Sequence, residues 1–187
     1  SHNFDIRKNL LDFDDVNNDQ RKVIYGQRDE LLDAESIKDT LDGIRSDVVY
    51  GLVERFVPPD SIDEQWDLAG LSAALESELG VSMDAAGLVA NSEEIDAEGI
   101  AEAVQKTVAA HFELKEQSIG EETMRALEKH IMLTVVDQSW KEHLARMDYL
   151  RQGIYLRGYA QKQPKQEYKK EAFELFSQLL EKIKEDV

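Results

Sequence analysis

The sequence predicts an all-α protein, and three observations lead to that prediction. Apolar residues recur at alternating steps of three and four along most of the chain, which is the spacing of one helix face. Consecutive prolines and isolated glycines interrupt this pattern where helices should end. With 187 residues and 42% hydrophobic content, the chain can bury a core in one or two domains.

The first predicted helix runs from about residue 3 to residue 32, so its length is about 45 Å at 1.5 Å per residue. Three of its stripe positions are polar amides. We therefore expect this helix to contact several partners in succession and not to cover one dry core. The eight stripe positions are Ile6, Leu10, Phe13, Asn17, Gln20, Ile24, Gln27 and Leu31.

A second helical pattern follows Ser36 and ends at residues 57–59 (Val-Pro-Pro), because consecutive prolines forbid further helix. The stretch from about residue 60 to residue 119 is then predicted to form a small helical subdomain. Ser61 and Glu64 have the spacing of a capping box. Further short helices are expected to begin near Ser82 and Ser92.

The last third predicts an antiparallel hairpin of two long helices. Gly158 can adopt the left-handed conformation that ends a helix, and Pro164 suits the first turn of the next one. Two helices joined by about seven residues should pack side by side. The residues expected to pack the hairpin are Trp140, Leu144, Met147, Leu150, Ile154, Phe176 and Leu179.

Charge is spread unevenly along the chain. The formal net charge of −17 argues against nucleic-acid binding, which needs clustered Lys and Arg to neutralise phosphates. Residues 61–119 carry 13 acidic and 2 basic side chains, whereas residues 120–187 carry 12 of each. Residues 151–170 hold six bases against the single acid Glu167. Such asymmetry indicates different neighbours for different parts of the chain.

The sequence lacks the motifs of several kinds of metal-binding and phosphate-binding site. The chain has no cysteine and no Gly-Lys dipeptide, which excludes thiolate zinc sites and a P-loop. The four histidines lack zinc-binding spacing, and we expect His130 and His143 near helix flanks. Residues 15–19 begin like a calcium loop, but Gln20 and Gly26 stand where that loop needs Gly and Glu. We therefore predict a helix there.

The turn of the hairpin gathers Arg157, Gly158, Tyr159 and Lys162. A solvated turn of no special role is one interpretation, and a contact site is the other. An exposed tyrosine favours contact, since it offers a rigid amphipathic surface at low entropic cost. The sequence pattern alone leaves both interpretations open.

Long ungapped blocks at both ends of the chain carry a specific resemblance. Near the start they are residues 3–8 (NFDIRK), 14–16 (DDV) and 19–21 (DQR). Near the end they are residues 140–144 (WKEHL), 147–154 (MDYLRQGI), 156–162 (LRGYAQK) and 164–169 (PKQEYK). In these blocks the sequence resembles the SecA family of bacterial preprotein-translocase motor ATPases. The early blocks resemble its scaffold helix and the late ones its two-helix finger.

The resemblance implies three segments: residues 1–52 as the first part of a helical scaffold, 53–119 as a helical wing, and 120–187 as the second scaffold part with the two-helix finger. The finger tip would lie at about residues 157–163. Carried over by position, Tyr159 would touch the translocating polypeptide, with Arg157, Gly158 and Lys162 shaping the tip.

The same resemblance implies partners and a place in the cell. The partners would be the motor and preprotein-binding domains of the same protein, the SecYEG channel and the translocating preprotein. The finger is also credited in the family with restraining ATP hydrolysis. No cofactor is expected in this chain, because ATP, magnesium and zinc belong to other parts of the family's proteins. The chain would be non-catalytic, cytoplasmic and peripherally associated with the inner membrane. There residues 151–170, which we call the basic segment, would favour anionic lipids.

A different class of function stays possible from the residues alone. A free-standing helical adaptor or regulator could bind a partner through the same hairpin. The two interpretations differ in whether the hairpin serves a motor protein or acts by itself.

Overall fold

The computed structural model describes the backbone of residues 2–92, 94–157 and 164–187, and the side chains of residues 13–92, 94–154 and 168–187. Within these ranges the regular structure is helical, which confirms the predicted all-α class. A short 3₁₀ helix covers Asp63–Gln65. The α-helices are α1 (His2–Asp33), α2 (Lys38–Phe56), α3 (Leu68–Leu79), α4 (Ala85–Ala90), α5 (Ala97–Ile119), α6 (Glu121–Arg157) and α7 (Pro164–Asp186).

The helices form two compact units. Unit 1 contains Ser1–Ile37 and Leu127–Val187, and unit 2 contains Lys38–Ala126. These limits differ from the segments 1–52, 53–119 and 120–187 drawn from the sequence. The difference arises because α2 buries Val49, Leu52 and Val53 in the core of unit 2.

Unit 2 is built around α2, α3 and α5. Its core is a continuous set of aliphatic side chains, and Val49, Leu71, Leu75, Ile100, Val104 and Val108 are fully buried within it. Gln105 of α5 donates to the Ser46 carbonyl oxygen of α2 at 2.7 Å. Helices α2 and α5 are therefore held by both apolar packing and a polar cross-link.

Three helices of unit 2 begin with the same device. An aspartate at the N-cap accepts a hydrogen bond from the backbone N–H three residues later, which satisfies one of the free donors of the first turn. The residue that donates is glycine in each case. The pairs are Asp67 with Gly70 at 2.9 Å, Asp84 with Gly87 at 3.0 Å, and Asp96 with Gly99 at 2.8 Å.

The capping box predicted at Ser61 is wrong. The Ser61 hydroxyl donates to the Pro58 carbonyl oxygen and accepts from the indole N–H of Trp66 at 2.8 Å. The hydroxyl is therefore used within the turn that follows the prolines. Helix α3 starts only after Asp67, and the helices expected near Ser82 and Ser92 likewise start at aspartates a few residues on.

Gly120 separates α5 from α6. Its φ of 93° and ψ of 146° lie in a region that residues with a Cβ rarely adopt. On the α5 side, the Glu116 carboxylate accepts a hydrogen bond from Arg125 and lies 3.9 Å from the Lys38 ammonium. The Glu116–Arg125 pair therefore links the end of α5 to the start of α6 across the break at Gly120.

Unit 1 combines α1, most of α6 and α7. One cluster of buried side chains joins the three helices: Phe13 from α1, Met147, Leu150 and Ile154 from α6, and Tyr168 and Ala172 from α7. Nowhere in the described ranges is a helix long and apolar enough to cross a membrane.

The contacts of unit 1 define the directions of its helices. On α6 and α7, His143 faces Phe176 with ring centroids 5.8 Å apart, and Glu142 accepts from Lys182 at 3.3 Å. Nearer the turn, Ile154 and Tyr168 share the buried cluster. Rising residue numbers in α6 thus meet falling numbers in α7, as the antiparallel hairpin requires.

Candidate functional site

The residues predicted to pack the hairpin are all buried or half-buried. Met147, Ile154 and Leu179 are 1% exposed, and Trp140 and Leu150 are also buried. Leu144 and Phe176 are half-buried. Trp140 stacks on the His143 ring, with centroids 5.4 Å apart and planes inclined by 30°.

The predicted tip lies largely outside the described residues. Gly158, Tyr159 and Lys162 belong to the stretch that is not described. Arg157 is the last residue of α6, and its side chain is not among those that the structure describes. The described part of the hairpin is therefore its two helical arms.

Four polar residues join α1 to both arms, and we call them the polar anchor: Asn17, Gln20, His143 and Tyr168. The Gln20 amide is the centre of this set. Its nitrogen donates to the Ala172 carbonyl oxygen of α7 at 3.1 Å, and its oxygen lies 2.7 Å from His143 Nε2 of α6. One buried side chain on α1 therefore contacts both arms.

This geometry fixes the tautomer of His143. Because the Gln20 nitrogen is used as a donor, the Gln20 oxygen must accept, and His143 Nε2 must carry the hydrogen. The other ring nitrogen, Nδ1, is buried and contacts no described hydrogen-bond partner. Burial, assisted by the positive charge of Arg146, lowers the pKa of His143 to about 4. The imidazole is thus neutral at neutral pH.

Tyr168 forms the second half of the polar anchor. Its hydroxyl donates to Asn17 Oδ1 at 2.7 Å, and its ring lies against Phe13 with centroids 4.4 Å apart. The side chain is fully buried, and this burial raises the pKa of its phenol to about 12. The Tyr168 side chain therefore stays protonated and acts as a hydrogen-bond donor.

Charged contacts extend the pairing of α1 with α6 beyond the polar anchor. Arg151 lies 3.5 Å from Asp14, and Arg28 donates to Asp137 at 2.9 Å. Near the end of α1, Lys129 donates to the carbonyl oxygens of Leu32 and Ala34. Residue numbers rise along α1 as they fall along α6, so the two helices run antiparallel from Asp14 to Leu32 of α1.

The calcium-like segment is helical, as predicted. Residues 15–19 lie inside α1, which is continuous from His2 to Asp33. Asp15, Asn18 and Asp19 border a shallow depression on its surface together with Arg21 and Lys22. Among the described residues, no group of three His, Asp or Glu side chains is placed to hold a metal ion.

The prediction for His143 is wrong, because this residue is fully buried and does not lie on a helix flank. A signal was present, since His143 follows Trp140 by three residues and precedes Met147 by four. The amides Asn17 and Gln20 were placed on the α1 stripe correctly. Their partners were not foreseen, because the residues that they contact lie more than 120 positions away.

Comparison with known proteins gives one consistent result. The profile of the family described as SecA Wing and Scaffold domain matches residues 1–187. The chain is 75% identical to the protein translocase subunit SecA of Stenotrophomonas maltophilia strain R551-3 and to that of Xanthomonas axonopodis pv. citri strain 306. Each alignment covers 100% of this chain and 20% of the relative. The chain therefore spans about a fifth of the length of the curated relatives it matches.

Proposed function

Because this chain belongs to the SecA wing and scaffold domain family, we propose that it is the non-catalytic scaffold, wing and finger part of an ATP-driven preprotein translocase. The observation that carries the proposal is the match of all 187 residues to the family, at 75% identity to named SecA subunits. In this proposal residues 53–119, which lie within unit 2, are the wing, and unit 1 contains the finger hairpin. ATP and magnesium act in the motor domains, and zinc in a cysteine-bearing tail.

The described geometry supports a mechanical role for unit 1. Both arms of the hairpin are helical, with α6 reaching Arg157 and α7 starting at Pro164. The arms are tied to α1 by buried hydrogen bonds as well as apolar packing. A load applied near the turn would therefore be passed to α1 through groups that have little room to rearrange.

We place the contact with the polypeptide at the turn. Tyr159 would offer a rigid aromatic surface with no sequence preference, and Gly158 would let the backbone approach its partner closely. Arg157 and Lys162 would favour acidic loops of the SecYEG channel. The other partners are the motor and preprotein-binding domains of the same protein and the translocating preprotein. The site of action is the cytoplasmic face of the inner membrane.

Replacing Tyr159 in the full-length motor tests this role. Tyr159→Ala is expected to impair preprotein translocation into membrane vesicles while the helical circular dichroism is unchanged. Tyr149→Ala is the matched control, because Tyr149 lies on the same arm and is 80% exposed. Normal transport by Tyr159→Ala, or equal impairment by the control, would contradict the proposed contact.

A second experiment addresses the control of ATP hydrolysis. The isolated chain, added to a motor truncated to lack this region, is expected to lower the ATPase rate. An unchanged rate at saturating chain concentration would argue against a restraining role for the finger.

The basic segment is proposed to favour anionic lipid headgroups, at about 1 kcal/mol per basic residue near the surface. Vesicles with anionic lipid should therefore co-sediment more of the full-length protein than neutral vesicles do. The effect should fall when Lys162, Lys165, Lys169 and Lys170 are changed to Gln. It should persist in the charge-matched control that changes the exposed Lys22, Lys106, Lys141 and Lys184. Vesicle binding that does not depend on lipid charge would contradict this part of the proposal.

A further inference from the structure

We propose that Gln20, His143 and Ala172 form a register lock that sets the position of both hairpin arms along α1. The lock consists of one amide that donates to α7 and accepts from α6. It deepens the proposed function, since it would determine where the hairpin turn lies relative to the scaffold helix. It can nevertheless be tested on this chain alone.

Apolar packing by itself does not specify the register of α7. The inner face of α7 repeats apolar residues every three or four positions. A slide by one helical turn, about 5.4 Å, would therefore replace one apolar side chain with another. Cores built from interchangeable apolar contacts lose a unique arrangement before they lose stability. Polar contacts are needed to select one register. The Tyr168–Asn17 hydrogen bond is one such contact to α7, and Gln20 is the residue that contacts both arms.

Ala172 supplies that selection on α7. It is fully buried, and from Tyr168 onward, where the side chains of α7 are described, it is the only small residue among the inward positions. Its methyl group lets the Gln20 amide reach a backbone carbonyl at 3.1 Å. A slide by one turn would bring Tyr168 or Phe176 opposite Gln20, and the larger ring would cover the backbone. The amide nitrogen would then be buried without its acceptor.

His143 selects the register of α6. It is fully buried, and its Nε2 hydrogen has the Gln20 oxygen as its acceptor at 2.7 Å. Trp140 and Phe176 face the imidazole ring, and Arg146 is the charged group that acts on it. If α6 slides, the Nε2 hydrogen loses its acceptor, and the aromatic rings that face the imidazole do not replace the lost oxygen. One buried group left without its hydrogen-bond partner should disfavour the shifted register by about 5- to 150-fold.

Distance measurements between spin labels can test the lock directly. Helices α1 and α7 run parallel, because Asn17 contacts Tyr168 and Gln20 contacts Ala172, so the second label must lie well along α7 for a slide to change the distance. The chain has no cysteine, so cysteines introduced at the exposed Asn18 on α1 and the exposed Lys184 on α7 would be the only labelling sites. All variants are made on Tyr168→Phe, which lacks the other buried hydrogen bond between α1 and α7, and this background should give a single narrow distance distribution. Gln20→Met, which keeps the length of the side chain and removes its polar atoms, should add a second population shifted by about 5 Å.

Gln27→Met is the matched control. Gln27 lies seven residues further along the same stripe and is exposed, so its replacement should leave the single distribution intact. A single unshifted distribution for Gln20→Met would overturn the lock. So would a second population that appears equally in the Gln27 control.

Variants of His143 keep the proposal testable if Gln20→Met unfolds the chain. For these variants the second label is moved to the exposed His130 of α6, because His143 contacts Gln20 from that arm. His143→Gln retains a donor toward Gln20 and should retain one register, whereas His143→Leu removes the donor and should populate two. Identical distributions for both variants would again overturn the lock. These measurements involve no translocation, so their outcome is independent of the Tyr159 experiment. The register lock can therefore be contradicted while the proposed function holds, and the proposed function can be contradicted while the register lock holds.

Discussion

Lowering the pH from 7.5 to 5.5 is expected to destabilise unit 1 through His143. In the folded chain, burial and then the charge of Arg146 hold the pKa of His143 at about 4, against 6.5 for an ordinary histidine. The fold therefore favours the neutral ring. The stabilisation from this preference is fully present above pH 6.5, and it is lost as the pH falls from 6.5 through 4.

The size of the effect follows from the two pKa values. Their difference of about 2.5 units corresponds to roughly 3 kcal/mol once the pH is below both. Between pH 7.5 and pH 5.5 only part of this is lost, about 1 kcal/mol, because the unfolded chain goes on binding more protons than the folded chain until the pH falls below 4. Working above pH 5.5 also keeps the chain away from its isoelectric point of about 4.6.

Urea unfolding followed by tryptophan fluorescence is the assay. The chain has two tryptophans, Trp66 in unit 2 and Trp140 in unit 1, so Trp66→Phe restricts the signal to the residue that stacks on His143. His143→Gln is the reference, because glutamine keeps a donor but does not titrate. The stability difference between the parent and this variant should shrink by about 1 kcal/mol from pH 7.5 to pH 5.5. A difference that stays constant over this range would refute the buried, neutral state of His143.

Two further predictions concern the second half of the polar anchor and the break between α5 and α6. Tyr168→Phe and an alanine at Asn17 should each cost about 1 kcal/mol, and the double variant should cost about 1 kcal/mol less than their sum, since both remove one hydrogen bond. Strict additivity in a urea double-mutant cycle would show that this bond contributes nothing. Gly120→Ala should cost about 1–3 kcal/mol in thermal unfolding because of its φ of 93°, whereas Gly51→Ala inside α2 should stabilise by about 0.5–1 kcal/mol. No clash would confuse either result, because a Cβ at both positions meets nothing within 4 Å. Equal effects at the two glycines would contradict the backbone argument.

The helices of this protein were predictable from periodicity, because spacing along the chain is a local property. The first helix was expected from about residue 3 to residue 32, and α1 covers His2–Asp33. The end of α2 at the prolines was likewise foreseen, since proline removes the donor that the helix needs. The starts of the short helices were placed less well. The sequence contains serines and aspartates within a few residues of each other, and which one caps depends on the turn before it.

The partners of the helices were harder to predict, because they depend on residues far apart in sequence. The stripe of α2 shows that one face is buried, but it does not show that α5 is the helix that covers it. His143 was assigned to a flank, although its spacing from Trp140 and Met147 places it on the stripe, where a polar ring disagrees with its apolar neighbours. The fold resolves that disagreement with Gln20, which supplies the acceptor that a buried imidazole requires. Tyr159 and its neighbours stay predictions, because they lie outside the described residues.

The discontinuity of unit 1 has a consequence for biosynthesis. Unit 2 is one contiguous stretch, so all of its residues are available as soon as Ala126 has left the ribosome. Gln20, in contrast, must wait for Ala172, which is synthesised 152 positions later. At about 5–20 residues per second, that delay is roughly 8–30 seconds. Until α6 and α7 have both emerged, the apolar face of α1 lacks part of its native cover. Nascent chains stalled between unit 2 and α7 are therefore the species that chaperones should bind most strongly.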